Sequence, residues 1–210
     1  ATIPVGKVAV TFAGGLIPSS YSLALQYSGR TIASGSASDV SIVVPAGTYT
    51  LVGNVSGVPL SPISFSVGTG SQASVSVPVS QLSIAAYTAN GVQLSNAQIA
   101  VTYSGKQVAA GVGSLSVIVP GGVSYTVSVS AYGVTNSTTV TPTVGSVMSI
   151  RAIVPISGYV IFGAFVPLST LILIAVIILI VIIIIVVLLM EYGNWRRRRL
   201  AGGLFGPGAK

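Results

Sequence analysis

The sequence predicts a mainly β protein, with two tandem β-sandwiches followed by a single C-terminal transmembrane helix. Three observations predict this fold class. Residues 1–155 are rich in Val, Ser, Thr, Gly and Ala, and they break into short segments in which apolar and polar residues alternate. Several motifs of this region occur twice in the same order, whereas residues 168–190 are almost wholly aliphatic. Alternation is typical of half-buried strands, and a long aliphatic run is typical of a membrane span.

Residues 1–155, which we call the outer region, contain an internal duplication. Three motifs recur in the same order at a nearly constant offset of 75 to 76 positions, a pattern that indicates a repeat. The matched pairs are Tyr27–Arg30 with Tyr103–Lys106, Val44–Gly47 with Val119–Gly122, and Tyr49 with Tyr125. The duplication predicts two related domains, residues 1–80 and 81–155. An apolar transmembrane segment at 156–192 and a basic inner tail at 193–210 complete the predicted organisation.

Each half contains short alternating segments separated by turns rich in Gly, Pro and Ser, as expected of a sandwich. The strands predicted in the first half are Lys7–Phe12, Ser22–Tyr27, Ser41–Val44, Tyr49–Val52, Ile63–Val67 and Ala73–Val79. Those predicted in the second half are Leu82–Tyr87, Ala97–Tyr103, Ser114–Val119, Ser124–Ser130, Thr138–Val140 and Val147–Val154. No amphipathic helix is predicted before Ser157.

The segment Val43–Leu51, which contains Pro-Ala-Gly-Thr-Tyr-Thr, resembles a hairpin of carboxypeptidase-regulatory-like and related Ig-like surface domains. Pro120–Tyr125 is a looser copy with one extra residue. The resemblance implies an Ig-like sandwich in each half, with the Gly in a tight turn and the Tyr packed at the sandwich edge. Such domains are mostly non-catalytic spacers and adhesion modules, so the resemblance supports the fold alone.

The C-terminal span runs from Leu168 to Met190, and its only polar residues are Ser169 and Thr170. At about 1.5 Å per residue the helix is roughly 35 Å long, enough for a bilayer core of about 30 Å. A buried helix of a soluble protein is rarely apolar on every face over this length. The run therefore predicts a membrane anchor with lipid as its partner.

The apolar character continues upstream through Gly158–Val166 and is interrupted by Pro167. Because Pro inside a helix removes a hydrogen bond, either the helix kinks at Pro167 or a new helix begins there. If the upstream segment is helical, Tyr159, Phe162 and Phe165 lie on one side and form an outer aromatic belt. A fusion-type insertion segment is the alternative for residues 158–166.

At the other end of the span, Tyr192 and Trp195 predict an inner aromatic belt, and a basic cluster follows directly. This cluster consists of four consecutive arginines, Arg196, Arg197, Arg198 and Arg199. Because cytoplasmic loops beside membrane spans carry the excess of Lys and Arg, we expect the C-terminus inside and residues 1–155 outside. The arginines also suit phosphate groups, so DNA or anionic lipid is a candidate partner of the cluster.

The start of the chain agrees with this orientation. The sequence begins at Ala1 without a Met, which favours cleavage of a signal peptide. A domain that crosses a membrane ahead of a C-terminal anchor usually needs such a signal. We therefore expect an outer region that has been processed at its N-terminus.

The composition excludes most catalytic and metal chemistry. The chain has no Cys, no His and two carboxylates, Asp39 and Glu191. It therefore lacks a disulfide framework, a thiolate metal site and the usual acid–base groups, and we expect no enzyme and no cofactor. A Ser–Lys nucleophile that uses Lys7 or Lys106 stays open, although the repeat counterpart of Lys106 is Arg30, which suggests an exposed turn cation.

The net charge of the outer region is predicted to change little between neutral and strongly acidic pH. The net charge of +7 comes mostly from the C-terminal end, and Asp39 is the one carboxylate before residue 191. Since acid unfolding acts mainly through carboxylates and histidines, the region is predicted to tolerate very acidic surroundings. The alternative interpretation is an ordinary Ser/Thr-rich secreted domain.

Two N-glycosylation sequons lie on the predicted outer side, Asn54-Val55-Ser56 and Asn136-Ser137-Thr138. In a chain this rich in Ser and Thr, such triplets also arise by chance. N-glycosylation of Asn54 or Asn136 is therefore a hypothesis.

The whole layout resembles the small membrane proteins of spindle-shaped archaeal viruses, including those of the tail or nozzle. The shared features are the charge-poor outer region, the span with Ile182–Ile185 and the short Arg-rich inner tail. The resemblance implies a structural virion protein of an envelope or tail, a homo-oligomer with other virion or surface proteins as partners, and arginines that face packaged DNA. The alternative is an archaeal cell-surface adhesion or S-layer-associated module that binds glycan or protein.

Overall fold

The computed structural model describes residues 3–35, 41–161 and 164–204. The described residues form two compact units, one that ends at Ile156 and one that begins at Ser157. The predicted fold class is confirmed, because the first unit consists of β-sandwich repeats and the second contains one long apolar helix. Asp39 and Phe162 lie outside the described residues.

The first repeat is a sandwich of two sheets. Its strands are β1 (Val5–Phe12), β2 (Tyr21–Tyr27), β3 (Arg30–Gly35), β4 (Ser41–Pro45), β5 (Gly47–Val55), β6 (Val58–Pro59), β7 (Ile63–Val67) and β8 (Gln72–Val77). One sheet has the order β4-β1-β8, and the other has the order β3-β2-β5-β6, with β7 also paired to β5. Alternation along the strands directs Val8 and Val75 of the first sheet into a shared core with Leu23, Tyr49 and Leu51 of the second.

The second repeat has the same strand order. Its strands are β9 (Val79–Thr88), β10 (Gln98–Tyr103), β11 (Lys106–Val112), β12 (Ser114–Pro120), β13 (Tyr125–Ala131), β14 (Val134–Val140) and β15 (Val147–Val154). A pairing of Val112 with Ser114 joins β11 to β12, so the strands form one continuous sheet with the order β14-β13-β10-β11-β12-β9-β15. Contacts of β13 and β14 with β15 close this sheet onto itself.

The main pairings of the two repeats correspond one to one. The antiparallel pairs β1–β4, β2–β3, β2–β5 and β5–β7 have the counterparts β9–β12, β10–β11, β10–β13 and β13–β14. In each repeat the first and last strands pair in parallel, β1 with β8 and β9 with β15. The two sets of strands meet at Pro78, close to the boundary at 80/81 that the duplicated motifs suggest.

The duplicated Tyr-Ser-Gly motif is a tight hairpin turn in both repeats. Ser28 and Gly29 have φ of 49° and 76°, and Ser104 and Gly105 have φ of 48° and 77°. Two successive residues with positive φ are the signature of the turn whose twist matches that of paired strands. Both hairpins also carry a register shift at the equivalent position in the strand.

The duplicated Pro and Tyr residues hold the connection between β4 and β5 in the first repeat and between β12 and β13 in the second. The Tyr49 hydroxyl donates a hydrogen bond of 2.6 Å to the Pro45 carbonyl, and the Tyr125 hydroxyl donates one of 2.9 Å to the Pro120 carbonyl. Tyr49 is 1% exposed and Tyr125 is 0% exposed. Burial, and next the neighbouring Tyr27 or Tyr103, raises the pKa of each phenol above its usual value. Each ring thus fills the core while its hydroxyl ties down the end of a strand.

The segment Val43–Leu51 differs from the hairpin that the family resemblance implies. β4 pairs with β1 and β5 pairs with β2, so the chain crosses from one sheet to the other here. The requirement for glycine comes from packing, since a Cβ on Gly47 would lie 2.9 Å from Cε2 of Tyr27. The Tyr27 and Tyr49 rings meet at a centroid distance of 5.2 Å over this corner.

The repeats contact each other directly at two places besides the Pro78 link. The Ser56 hydroxyl in the first repeat donates a hydrogen bond of 2.7 Å to the Ile118 carbonyl in the second. At a second place the backbone of Gly14 in the first repeat packs closely against that of Gly145 in the second. A Cβ on Gly14 would lie only 2.5 Å from the carbonyl oxygen of Gly145. These contacts and the one-residue link join the repeats into a single unit.

We expect Tyr125→Phe to lower the free energy of unfolding by about 1–2 kcal/mol, because the buried Pro120 carbonyl loses its donor. Tyr49→Phe should have a smaller effect, of about 1 kcal/mol, because Pro45 is exposed and water can replace the lost hydroxyl. Denaturant unfolding of the full chain in detergent, followed by circular dichroism, measures the effect. Tyr103→Phe, at a half-buried position beside Tyr125, is the matched control and is expected to change stability by less than about 0.5 kcal/mol. Equal effects at all three positions would contradict the proposed role of the two hydroxyls.

The same tyrosines predict a one-sided pH dependence of stability. A phenol whose pKa is raised on folding contributes stability that is present below the unfolded pKa of about 10 and is lost as the pH rises above it. We call the compact unit that ends at Ile156 the β unit. We expect its unfolding midpoint to stay nearly constant from pH 7 to about pH 2 and to fall above about pH 10. The Tyr49→Phe/Tyr125→Phe double variant should show a smaller alkaline decline. A decline on the acid side would contradict this prediction.

Candidate membrane anchor and exposed sheet faces

The last helix, α1 (Leu168–Leu204), contains the candidate anchor. Its stretch Leu168–Arg196 is 29 residues long, and its length and composition suffice to cross a membrane. No side chain of this stretch is buried, and Ile180 near its middle is 51% exposed. An aliphatic helix without a protein cover is expected of a segment that faces lipid on all sides.

The sequence of α1 explains its regularity. From Leu171 to Met190 there is neither a polar residue nor Pro or Gly, so nothing interrupts the helical hydrogen bonds. At about 1.5 Å per residue this run alone is about 30 Å long, the thickness of a bilayer core. Ser169 and Thr170 lie exposed in the first turn.

The residues before the helix form a hairpin, which corrects the helical extension considered above. Strands β16 (Gly158–Ile161) and β17 (Ala164–Pro167) pair with each other, and α1 begins at the next residue. Pro167 thus ends a strand instead of kinking a helix, because its missing N–H does no harm at that position. Tyr159 and Phe165 lie on separate strands of this hairpin, and Phe162 lies outside the described residues.

The C-terminal end of the apolar run carries the two aromatic residues that the sequence singled out. The Tyr192 and Trp195 rings lie on neighbouring turns with centroids 6.1 Å apart. Arg196, the first member of the basic cluster, is exposed. The helix then continues through the backbone of the other three, whose side chains lie outside the described part: Arg197, Arg198 and Arg199. Aromatic and arginine residues therefore follow one another within two turns at the end of the apolar run.

Each sequon contains a side chain that makes a hydrogen bond to another part of the structure. Asn54 is exposed on β5, and the hydroxyl of the third sequon residue, Ser56, makes the hydrogen bond between the repeats described above. Asn136 is exposed on β14, and its side-chain amide donates a hydrogen bond of 2.7 Å to the Ile153 carbonyl on β15. Its Oδ1 accepts a second bond of 2.9 Å from the Ser137 N–H. Glycosylation of Asn54 or Asn136 stays a prediction.

The cations of the β unit are exposed. Arg30 and Lys106 open β3 and β11 directly after the two Ser-Gly turns, as their common place in the repeat suggests. Lys7 points out of β1. Among the described residues no group of three or more His, Cys, Asp or Glu side chains is close enough to hold a metal ion. One contact that the sequence did not signal is Arg151, whose guanidinium lies 4.3 Å from the centre of the Tyr87 ring.

Each repeat presents one uncharged sheet face lined by hydroxyl groups, which we call the hydroxyl faces. In the first repeat Thr48 lies 3.4 Å from Ser66, and Thr50 lies 3.4 Å from Ser64, measured between hydroxyl oxygens. In the second repeat three cross-strand rows line the face, and they consist of Thr102–Thr126–Thr139, Ala100–Ser128–Ser137 and Gln98–Ser130–Thr135. Both faces follow from the polar half of the strand alternation.

A triple substitution in the middle of α1 tests the anchor. Ile177→Asp, Ile180→Asp and Ile184→Asp together should release the chain from membranes, because each central charge opposes insertion by about 3 kcal/mol. Extraction of membranes at alkaline pH measures this release. The matched control places Asp at three exposed apolar positions of the β unit, Ile32, Val112 and Ile153, and should stay in the membrane fraction. Equal extraction of both variants would argue against a spanning role for α1.

No protein-family model and no curated protein matches the sequence. Three solved structures of low sequence identity are similar in part. The TIE protein of Bacillus anthracis is 15% identical over 73% of this chain and 34% of its own, with a TM-score of 0.32. The shaft pilin SpaA of Lactobacillus rhamnosus GG is 10% identical over 75% and 100%, with a TM-score of 0.27. A putative adhesin of Bacteroides ovatus is 8% identical over 73% and 93%, with a TM-score of 0.28. This chain thus spans about a third of the Bacillus protein, and at such TM-scores the likenesses support no functional inference.

Proposed function

We propose that this chain is a structural, non-catalytic membrane protein that holds two β-sandwich repeats outside a membrane on one helix. The observation that carries the proposal is the exposure of α1, in which no side chain from Leu168 to Arg196 is buried. Exposed aliphatic surface of this extent is unfavourable in water and favourable in hydrocarbon. The helix therefore supports a role as the anchor of the chain.

The distribution of charge supports an orientation with the C-terminus inside. The arginines that follow Trp195 are separated from the β unit by the whole apolar run. Positive charge near the end of a span favours the cytoplasmic side, and Tyr192 and Trp195 suit the interface that precedes it. The β unit is then displayed on the outer side.

A non-catalytic role is supported by the chemistry of the exposed groups. Lys7, Arg30 and Lys106 are exposed, and the chain has no Cys or His that would act as nucleophile or base. The guanidinium of Arg151 stacks on Tyr87. Such a surface suits contacts with other macromolecules better than chemical turnover.

We place the protein in the envelope or tail of a spindle-shaped archaeal virus as a homo-oligomeric component. The layout of charge-poor repeats, Ile-rich span and Arg-rich tail supports this assignment by resemblance. In such a particle Arg196–Arg199 face the interior, where packaged DNA or the phosphate groups of anionic lipid neutralise them. The near absence of carboxylates in the β unit fits an acidic exterior.

The second candidate is a cell-surface module that adheres to glycan or protein. The two hydroxyl faces favour it, because rows of Ser, Thr and Gln offer donors and acceptors without charge. A flat sheet face of this kind suits a sugar surface or a neighbouring protein. Both candidates share the anchor and the orientation, and they differ in where the protein resides.

Fractionation of infected cells distinguishes the two candidates. We expect the protein to co-purify with particles that contain genome. Because the chain has no Cys, single-cysteine variants report orientation in the same particles. Ser149→Cys, on an exposed position of β15, should react with a membrane-impermeant maleimide in intact particles, and Lys210→Cys should react only after detergent is added.

Two results would overturn the assignment in different ways. Recovery of the protein in host cell envelopes and not in particles would favour the adhesion module, and binding of the chain to glycans would strengthen that conclusion. Labelling of Lys210→Cys from outside would contradict the orientation, whatever the particle. Images of the native particle that show the protein as isolated stalks would contradict the homo-oligomer.

A further inference from the structure

The β16–β17 hairpin is an apolar element without a core of its own. From Gly158 to Leu168 no side chain carries a charge, and the Tyr159 hydroxyl is the one polar side-chain group. Tyr159 is 65% exposed and Ile161 is 38% exposed, while Phe165 and Val166 are half-buried. A two-stranded hairpin alone is marginally stable in water. A hairpin with such an apolar surface therefore requires contact with lipid or with other protein.

The hairpin is attached firmly to the start of the helix. No residue separates β17 from α1, and the N–H of Leu168 donates a hydrogen bond of 2.8 Å to the carbonyl of Ser157, the residue before β16. Within the hairpin the Phe165 ring lies directly over Gly158, where a Cβ would come within 2.6 Å of its Cζ. Both ends of the hairpin are therefore held at the first turn of α1.

The unpaired backbone groups of the hairpin restrict how deeply it can lie in a membrane. Among the described residues β16 and β17 form a sheet of two strands, so each strand has one edge that no neighbouring strand pairs. Unpaired backbone groups are strongly disfavoured in hydrocarbon, which excludes the bilayer core. The core is in any case filled by Leu171–Met190, a run of about 30 Å. The interfacial layer is the region where apolar side chains find lipid while edge N–H and C=O groups find water and headgroups.

We propose that the β16–β17 hairpin is a membrane-surface element that lies in the interfacial layer of the outer leaflet of a phospholipid or ether-lipid bilayer. The proposal rests on the proposed function, since it takes α1 to be the span. Tyr159 suits this layer because its ring is apolar and its hydroxyl is polar. The chain then contacts the membrane twice, once through the helix and once through the hairpin.

Tryptophan fluorescence of the full chain in liposomes tests the depth of the hairpin. Trp195 is the one native Trp, so Trp195→Phe provides a silent background for Tyr159→Trp and, separately, Ile161→Trp. Quenchers are attached to lipids either near the headgroup or near the end of the acyl chain, and iodide is supplied on both sides of the membrane. We expect the shallow lipid quencher to act about twofold or more strongly than the deep one at both hairpin positions.

Two controls separate this proposal from the proposed function. Ile32→Trp in the same background places a Trp at an exposed strand position of the β unit, and it should be quenched by iodide and not by lipid. The native Trp195, with the hairpin unchanged, reports the other end of the span and should respond to the shallow lipid quencher. If Trp195 responds to neither lipid quencher, the membrane anchor itself is wrong.

The remaining outcomes bear on the hairpin alone. Quenching of both hairpin tryptophans by iodide only, with Trp195 still at the lipid interface, would show that the hairpin projects into water. Protection from lipid and iodide alike would show that it packs against protein, such as a second copy of the chain. Strongest quenching by the deep lipid would place it in the bilayer core. Each of these three results overturns the proposal.

Discussion

The transfer of the α1 side chains from water to hydrocarbon is the interaction on which the proposed organisation of this protein depends. Each Ile, Leu or Val at the centre of a span favours insertion by about 0.3–0.6 kcal/mol, and the run Leu171–Met190 consists almost entirely of such residues. The chain buries none of them. Once this helix is assigned to a bilayer, the proposed side of the arginines rests on elementary electrostatics, and the proposed depth of the preceding hairpin rests on hydrogen bonding.

The β unit solves a different problem, which is how to stabilise a sandwich almost without charged groups. Its core is mainly aliphatic, and the hydroxyls of Tyr49 and Tyr125 supply directed bonds to the ends of β4 and β12. The repeats use the same strand pairings, yet together they form one compact unit. Pro78 is the whole link, and the bond from Ser56 to Ile118 closes the contact, so the second repeat continues the core of the first.

Much of this fold was predictable because its strands obey simple alternation. Val8, Val10 and Phe12, for example, mark β1 without any knowledge of its partners. Among the strands that escaped prediction, β3 and β11 both contain Ala and Gly, which have weak intrinsic β preference. They form because the Ser-Gly turns fold them back onto β2 and β10, which is a property of the hairpin and not of the strand itself.

The candidate site shows the same division. The anchor was predictable because a long aliphatic run has few alternatives in water. The hairpin before it was not, because the spacing of Tyr159, Phe162 and Phe165 suits one side of a helix equally well. Likewise, the bond from Asn136 to Ile153 joins β14 and β15, which are at opposite ends of the sheet order. A local sequence triplet carries no information on a contact of this kind.

The parallel pairing of the first and last strands in each repeat has a mechanical consequence. When a chain is pulled from its N-terminal side against a fixed C-terminal anchor, β1 and β8 are drawn in opposite directions along their common axis, and so are β9 and β15. Their ladders run from Lys7–Gln72 to Phe12–Val77 and from Val147–Gln81 to Val154–Thr88. Hydrogen bonds that lie across the line of force share the load and must yield together, whereas those of a hairpin pulled at its open end yield one after another. The terminal strands of each repeat are thus arranged so that tension along the chain loads them in shear.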